Sequence, residues 1–170
     1  MKTFAGIGSR ETPPYVIDRI KAIATRLGAA GWRCRTGGAD GADTAFEDAY
    51  GAFPDLLELY LPWKGFNGRK RGFLPSAPAF EVAAKYHPNW KGLSWGATKL
   101  MARNCHQVLG PLLNDPVDFI VCWTKDGKAS GGTGQALRIA EDLKIKVYNL
   151  YNHSSLLDGQ LGKVNENGYS

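Results

Sequence analysis

Trp32-Arg33-Cys34-Arg35-Thr36-Gly37-Gly38-Ala39-Asp40-Gly41-Ala42-Asp43 runs a strand, a glycine turn and a helix start together without a spacer. Residues 32–36 read as a strand. The helix that follows extends to about Tyr50, with Ala42, Ala45, Phe46 and Ala49 on one face. Glycine lets a chain turn sharply between the two and lets a ligand approach the main chain with no Cβ in the way. A loop that enters a helix in this way exposes unpaired N–H groups at the positive end of the helix dipole. Phosphate binds readily at such a place.

The same arrangement occurs on both sides of this run. Residues 3–8 form a buried strand pattern that ends at Gly6-Ile7-Gly8. Thr12-Pro13-Pro14 opens a helix, with Thr12 as its cap and Val16, Ile17, Ile20, Ile23, Ala24 and Leu27 as its apolar stripe. Residues 56–61 are a third strand, and 94–109 a longer helix with a stripe of Ala97, Leu100, Met101, Cys105, Val108 and Leu109. The continuous apolar run 119–123 suits an inner parallel strand covered on both faces. Ser130-Gly131-Gly132-Thr133-Gly134 then opens a helix to about Leu143, and residues 146–150 are a fifth strand. Alternating strands and helices predict an α/β fold: a Rossmann-like three-layer sandwich with a mainly parallel five-stranded sheet. One domain covers residues 1–150. It carries an irregular insertion at 62–92, with a short helix near 79–85, and a polar C-terminal tail at 151–170.

The totals agree with one domain. The chain has 170 residues and is 44% apolar. No stretch approaches the roughly 20 apolar residues needed to span a membrane. The first strand begins so near Met1 that it leaves no room for a signal peptide. The expectation is a cytoplasmic protein with no membrane partner. The three cysteines, Cys34, Cys105 and Cys122, are far apart and read as buried reduced thiols. Neither they nor the three histidines have metal-type spacing, so no metal and no cofactor is expected. A formal net charge of +5 is compatible with a phosphate-bearing partner.

In a parallel sheet the ligand sits at the carboxyl ends of the strands. Three glycine-containing loops leave strand ends there: residues 6–12, 37–43 and 124–134. The first lacks the third glycine of GxGxxG, and the second lacks the lysine of GxxxxGK[ST]. Each loop alone is read as a tight turn; three that converge are read as a site. The candidate phosphate- and nucleotide-binding residues are Gly8, Ser9, Arg10, Gly37, Gly38, Asp40, Gly131, Gly132, Thr133 and Gly134, with Arg103 and Asn104 from the long helix. Asp40 and Asp43 serve either as helix caps or as acceptors for a ribose hydroxyl, and Thr133 either caps or donates to phosphate. On the helical wheel Asn104 flanks the apolar stripe, whereas Arg103 points nearly opposite to it, toward solvent, a cleft or another subunit. Residues 62–73 combine aromatic rings with four cations. Such a segment fits either a solvated loop or a lid over the ligand edge. A bulky side chain at Gly38 or Gly132 is expected to block phosphate while leaving the fold intact.

Gly6-Ile7-Gly8-Ser9-Arg10, Thr36 to Asp43, Arg103-Asn104 and Ser130 to Gly134, in this order, resemble the SLOG superfamily of Rossmann-like nucleotide-binding domains. That group includes the DNA-processing DprA/Smf family and the LOG "lysine decarboxylase-like" phosphoribohydrolases. The block at 36–43 looks most like the DNA-processing type, and the chain looks like small phage-encoded DprA-like proteins. The resemblance covers roughly residues 1–150. It implies binding of a nucleotide or of single-stranded DNA at the strand ends, often in homodimers or higher homo-oligomers. The sequence departs from the LOG motif PGGxGTxxE: Ser130 replaces its proline, Gln135 its threonine, and Leu137 and Arg138 stand where that family has its acidic residues. An N-glycoside hydrolase would therefore need another carboxylate, for which Asp40, Asp43 and Glu47 are the candidates.

Three functions follow. A nucleotide-binding protein comes first, holding phosphate and ribose on the glycine loops. An N-glycoside hydrolase or transferase acting on a nucleotide is the second, and the missing glutamate counts against it. A DprA-like single-stranded DNA-binding protein is the third.

Overall fold

Phe119-Ile120-Val121-Cys122 is buried along its whole length. Its side chains alternate between two separate cores: Phe119 and Val121 belong to one, Ile120 and Cys122 to the other. A strand covered on both faces needs no polar alternation, which is why this run reads as continuously apolar. The computed structural model describes residues 1–153. In it, Phe119–Cys122 is β4 of a five-stranded sheet with β1 (Thr3–Gly6), β2 (Arg33–Thr36), β3 (Leu57–Leu59) and β5 (Lys146–Asn149). The strand order is β3-β2-β1-β4-β5 and every pairing is parallel.

Two helices, α1 (Pro14–Ala29) and α2 (Ala42–Ala49), cover one face with a core that includes Phe4, Ile20, Leu27 and Phe46. Three helices, α3 (Ala77–Tyr86), α4 (Trp95–Leu109) and α5 (Thr133–Asp142), cover the other around Ile7, Ala102, Ile120 and Ile139. Each fully buried large apolar side chain of these cores contributes roughly 1.5–3 kcal/mol of hydrophobic stabilisation. The three layers, the parallel sheet and the five strand positions match the sequence expectation.

Local details differ. Thr12 does not cap α1. Pro13 stands at the N-cap without a side-chain bond, and the Thr12 hydroxyl donates to the Ser9 carbonyl at 2.6 Å, tying down the first loop instead. The third strand is shorter than 56–61, because Leu56 lies in a 3₁₀ turn and Tyr60 pairs with Phe73 as an isolated bridge. Residues 62–92 are more ordered than an irregular insertion: they contain α3 and two short 3₁₀ turns, Phe66–Gly68 and Trp90–Gly92. All three cysteines are buried and free. No helix among the described residues is long and apolar enough to cross a membrane. Residues 154–170, most of the expected polar tail, lie outside the described part.

Candidate functional site

The strand order fixes where a site should form. From β1 the chain winds outward one way through β2 to β3, and β4 then begins on the other side of β1 and winds to β5. The loops after β1 and β4 therefore diverge to opposite faces, which opens a crevice at the carboxyl edge. A cleft of about 1090 Å³ occupies this point.

The first loop is pinned to its neighbour, with the Ser9 N–H donating to Trp123 O at 3.0 Å. Gly8 is there for close approach: a Cβ would lie 2.7 Å from that of Ala42 and 3.0 Å from the Trp123 carbonyl. The Ser9 hydroxyl accepts from the Glu11 N–H at 3.0 Å, which leaves its own proton to donate. Arg10 is exposed at the mouth of the cleft.

The second loop is built around a buried carboxylate. Asp43 is 3% exposed, lines the cleft and accepts from the Ala39 N–H at 3.4 Å. It does not cap α2, whose N-cap is Gly41; it closes the glycine loop from within the first helical turn. Burial pushes its carboxyl up to about 6, against the opposing pull of the Arg103 charge and of the Ala39 and Gly8 N–H groups. Asp40 lines the same cleft but is exposed.

The floor comes from α4. Arg103 is 5% exposed, so neither solvent nor another subunit takes it. Its guanidinium donates to the Gly37 and Tyr60 carbonyls and, through Nε, to Asn104 Oδ1 at 2.9 Å. Asn104 in turn donates to the Gly132 carbonyl at 2.8 Å, linking helix α4 to the third loop. Gly37 makes room for this: a Cβ there would lie 2.3 Å from Gln107 Nε2, 2.5 Å from Arg103 Nη1 and 2.7 Å from Asp43 Oδ2. Gln107 also lines the cleft and was missed in the sequence, although its spacing of four from Arg103 places it on the same helical face.

The third loop presents donors. The N–H groups of Gly131, Gly132 and Thr133 have no acceptor among the described residues, as the start of α5 requires. The N-cap is Gly132, so Thr133 is not the cap. Ser130 donates to Asp126 at 2.8 Å and fixes the loop behind them.

Segment 62–73 lies across the second loop. Asn67 donates to the Gly38 carbonyl at 3.0 Å, and Arg69 pairs with Glu47 at 3.0 Å. Phe66 covers the Arg103 guanidinium at 5.7 Å, and Trp63 meets Phe66 edge-on at 5.2 Å. Both aromatics line the cleft.

The cleft thus gathers Gly8, Ser9, Arg10, Asp40, Asp43, Arg103, Asn104, Gly131, Gly132 and Thr133. Gly37 and Gly38 stand behind it as spacers, and Gly134 is buried inside α5. Glu47 does not reach it and is engaged by Arg69. Among the described residues no three His, Cys, Asp or Glu side chains cluster as metal ligands.

The fold is that of a known DNA-processing protein. DNA processing protein A from Helicobacter pylori superposes with a TM-score of 0.56, over 95% of this chain and 81% of that one, at 14% sequence identity. At that identity the likeness is one of architecture. No family model and no curated protein matches the sequence.

Proposed function

We propose that the cleft binds a nucleotide unit, in the manner of SLOG domains. The observation that carries this is the convergence of the first and third loops on one crevice, floored by Arg103 and Asn104. Phosphate meets the free N–H groups of Gly131 to Thr133, with the Ser9 and Thr133 hydroxyls and Arg10 beside it. Asp43 and Asn104 face the ribose and base, and Trp63 and Phe66 supply the aromatic side.

Calorimetric titration with ribo- and deoxyribonucleoside monophosphates tests this. Binding should be lost in Gly132→Leu. It should weaken by about 1 kcal/mol in Ser9→Ala or Thr133→Val, and more if the acceptor is charged. Arg10→Ala should cost more than either if its guanidinium pairs with phosphate, and almost nothing if it stays solvated. If Gly132→Leu stays folded and binds as the wild type does, the phosphate-loop reading is wrong.

A second reading takes the unit as part of a strand. The Helicobacter pylori protein of the same fold is described by its single-stranded DNA binding mode. The N-glycoside alternative is read from the same mixtures as released base. Of its three candidate carboxyls, Asp43 is the one we favour, since Asp40 is exposed and Glu47 is paired with Arg69.

A further inference from the structure

We infer that a trail of aromatic rings leading out of the cleft holds the next bases of a single strand whose first nucleotide occupies the cleft. This rests on the nucleotide reading of the cleft and adds a second binding surface to it.

The trail begins at Phe66 and Trp63 on the cleft wall. Trp63 packs against the start of α4, where a Cβ on Gly96 would lie 3.9 Å from its ring. The adjacent residue, Trp95, is 66% exposed and stacks on Phe80 of α3 at 5.4 Å with 17° between the planes. Lys99, one turn further along α4, sits over the Trp95 ring at 4.9 Å. Lys64 is exposed next to Trp63.

Topology puts these rings on the correct edge. Helix α4 returns the chain to the start of β4, so it runs against the strands and its first residues lie at the carboxyl edge, where the cleft opens. An exposed tryptophan, braced by another ring and capped by a lysine, has no role in the core: Trp95 belongs to neither buried cluster. Aromatic faces interleaved with cations are the chemistry of a single strand. Bases stack on the rings without regard to sequence; at Trp95 a base displaces the flexible Lys99 chain from the ring face it covers, and the ammonium group meets the phosphate instead. A duplex keeps its bases stacked on one another and cannot use the rings.

Two ligands separate this surface from the cleft: thymidine 5′-monophosphate by calorimetry, and a fluorescein-labelled oligothymidylate of about eight nucleotides by anisotropy. The wild type should bind the oligonucleotide tighter than the monophosphate. Trp95→Ala should weaken the oligonucleotide at least about fivefold, with Trp95→Tyr restoring most of the loss. Lys99→Glu should weaken it as well and flatten its salt dependence. Neither should change the monophosphate, because neither residue lines the cleft. Oligonucleotide affinity unchanged in Trp95→Ala overturns the trail and leaves the cleft reading standing, as does a wild type indifferent to ligand length. Loss of both ligands in Trp95→Ala also overturns the trail, since the ring would then not be a separate surface. A change in sedimentation with no change in oligonucleotide binding shows that a second copy of the chain covers the ring instead. A wild type that binds neither ligand overturns the cleft reading together with this one.

Discussion

Gly38 and Gly132 are alike in the sequence and opposite in the structure. Gly38 has φ +70°, and a Cβ there would lie 2.9 Å from Leu61 Cδ2. Gly132 has φ −63° and ψ −37°, and a Cβ there would find only the Met101 methyl at 3.9 Å. The expectation that either could be substituted with the fold intact therefore holds for Gly132 alone. Gly132→Ala fits without strain and should hold or raise stability by up to about 1 kcal/mol. Gly38→Ala should destabilise, since it adds a clash to a left-handed backbone. Urea unfolding of the two variants side by side checks this, and equal midpoints would refute it. Arg103 is a different case. Arg103→Ala leaves the Asp43 carboxylate buried without its cation and the Gly37 and Tyr60 carbonyls without their donor. With these buried acceptors left unpaired the cost should be several kcal/mol, at about 1–3 kcal/mol for each, so a loss of binding in that variant would report folding rather than contact.

Helix α4 explains why Arg103 was the hardest residue to place from sequence. A helical wheel divides a helix into an apolar side that is buried and a polar side that is wet. The second half of α4 breaks that division, because Arg103, Asn104, His106 and Gln107 are all buried along with Met101 and Val108. Their partners are backbone carbonyls of the loops, which periodicity does not see. Strand β4, covered on both faces, and helix α1, covered on one, were legible because burial alone sets their pattern. Segment 62–73 was legible in chemistry but not in shape, since what orders it is long-range: Arg69 to Glu47, Asn67 to Gly38 and Tyr60 to Phe73. The ion pair should hold the segment against α2. Glu47→Gln should then speed tryptic cleavage at Lys64, Arg69, Lys70 or Arg71, with thermal stability changed by less than about 1 kcal/mol. Cleavage at the wild-type rate would mean that the other two contacts suffice.

Across the whole molecule, the charge that a ligand meets depends on pH through Asp43. Its carboxyl is raised to about 6, burial being the main cause and Arg103 opposing it. Below that pH the cleft floor carries the uncompensated cation; above it the carboxylate offsets the cation. As pH rises from the ordinary carboxylate value of 3.8 toward 6, the unfolded chain gives up this proton while the native chain retains it. The contribution of Asp43 to stability therefore falls through that window and is lowest above it. Anion binding follows the same sign, since phosphate favours the protonated form. A nucleoside monophosphate is a poor probe of this effect, because its own second proton leaves near pH 6 and changes the ligand in the opposite sense. The phosphodiesters of an oligothymidylate keep one charge each throughout. Their affinity should rise on the order of tenfold as pH falls from 7.5 to 5 at constant ionic strength. Asp43→Asn should hold affinity nearly constant over that range, at the level of the wild type at pH 5. His106 lies against Tyr60, with its ring held between Ser76 and Gly110, and is absent from the cleft lining. A slope that survives in Asp43→Asn would show that another group titrates, and that Asp43 does not set the charge of the cleft.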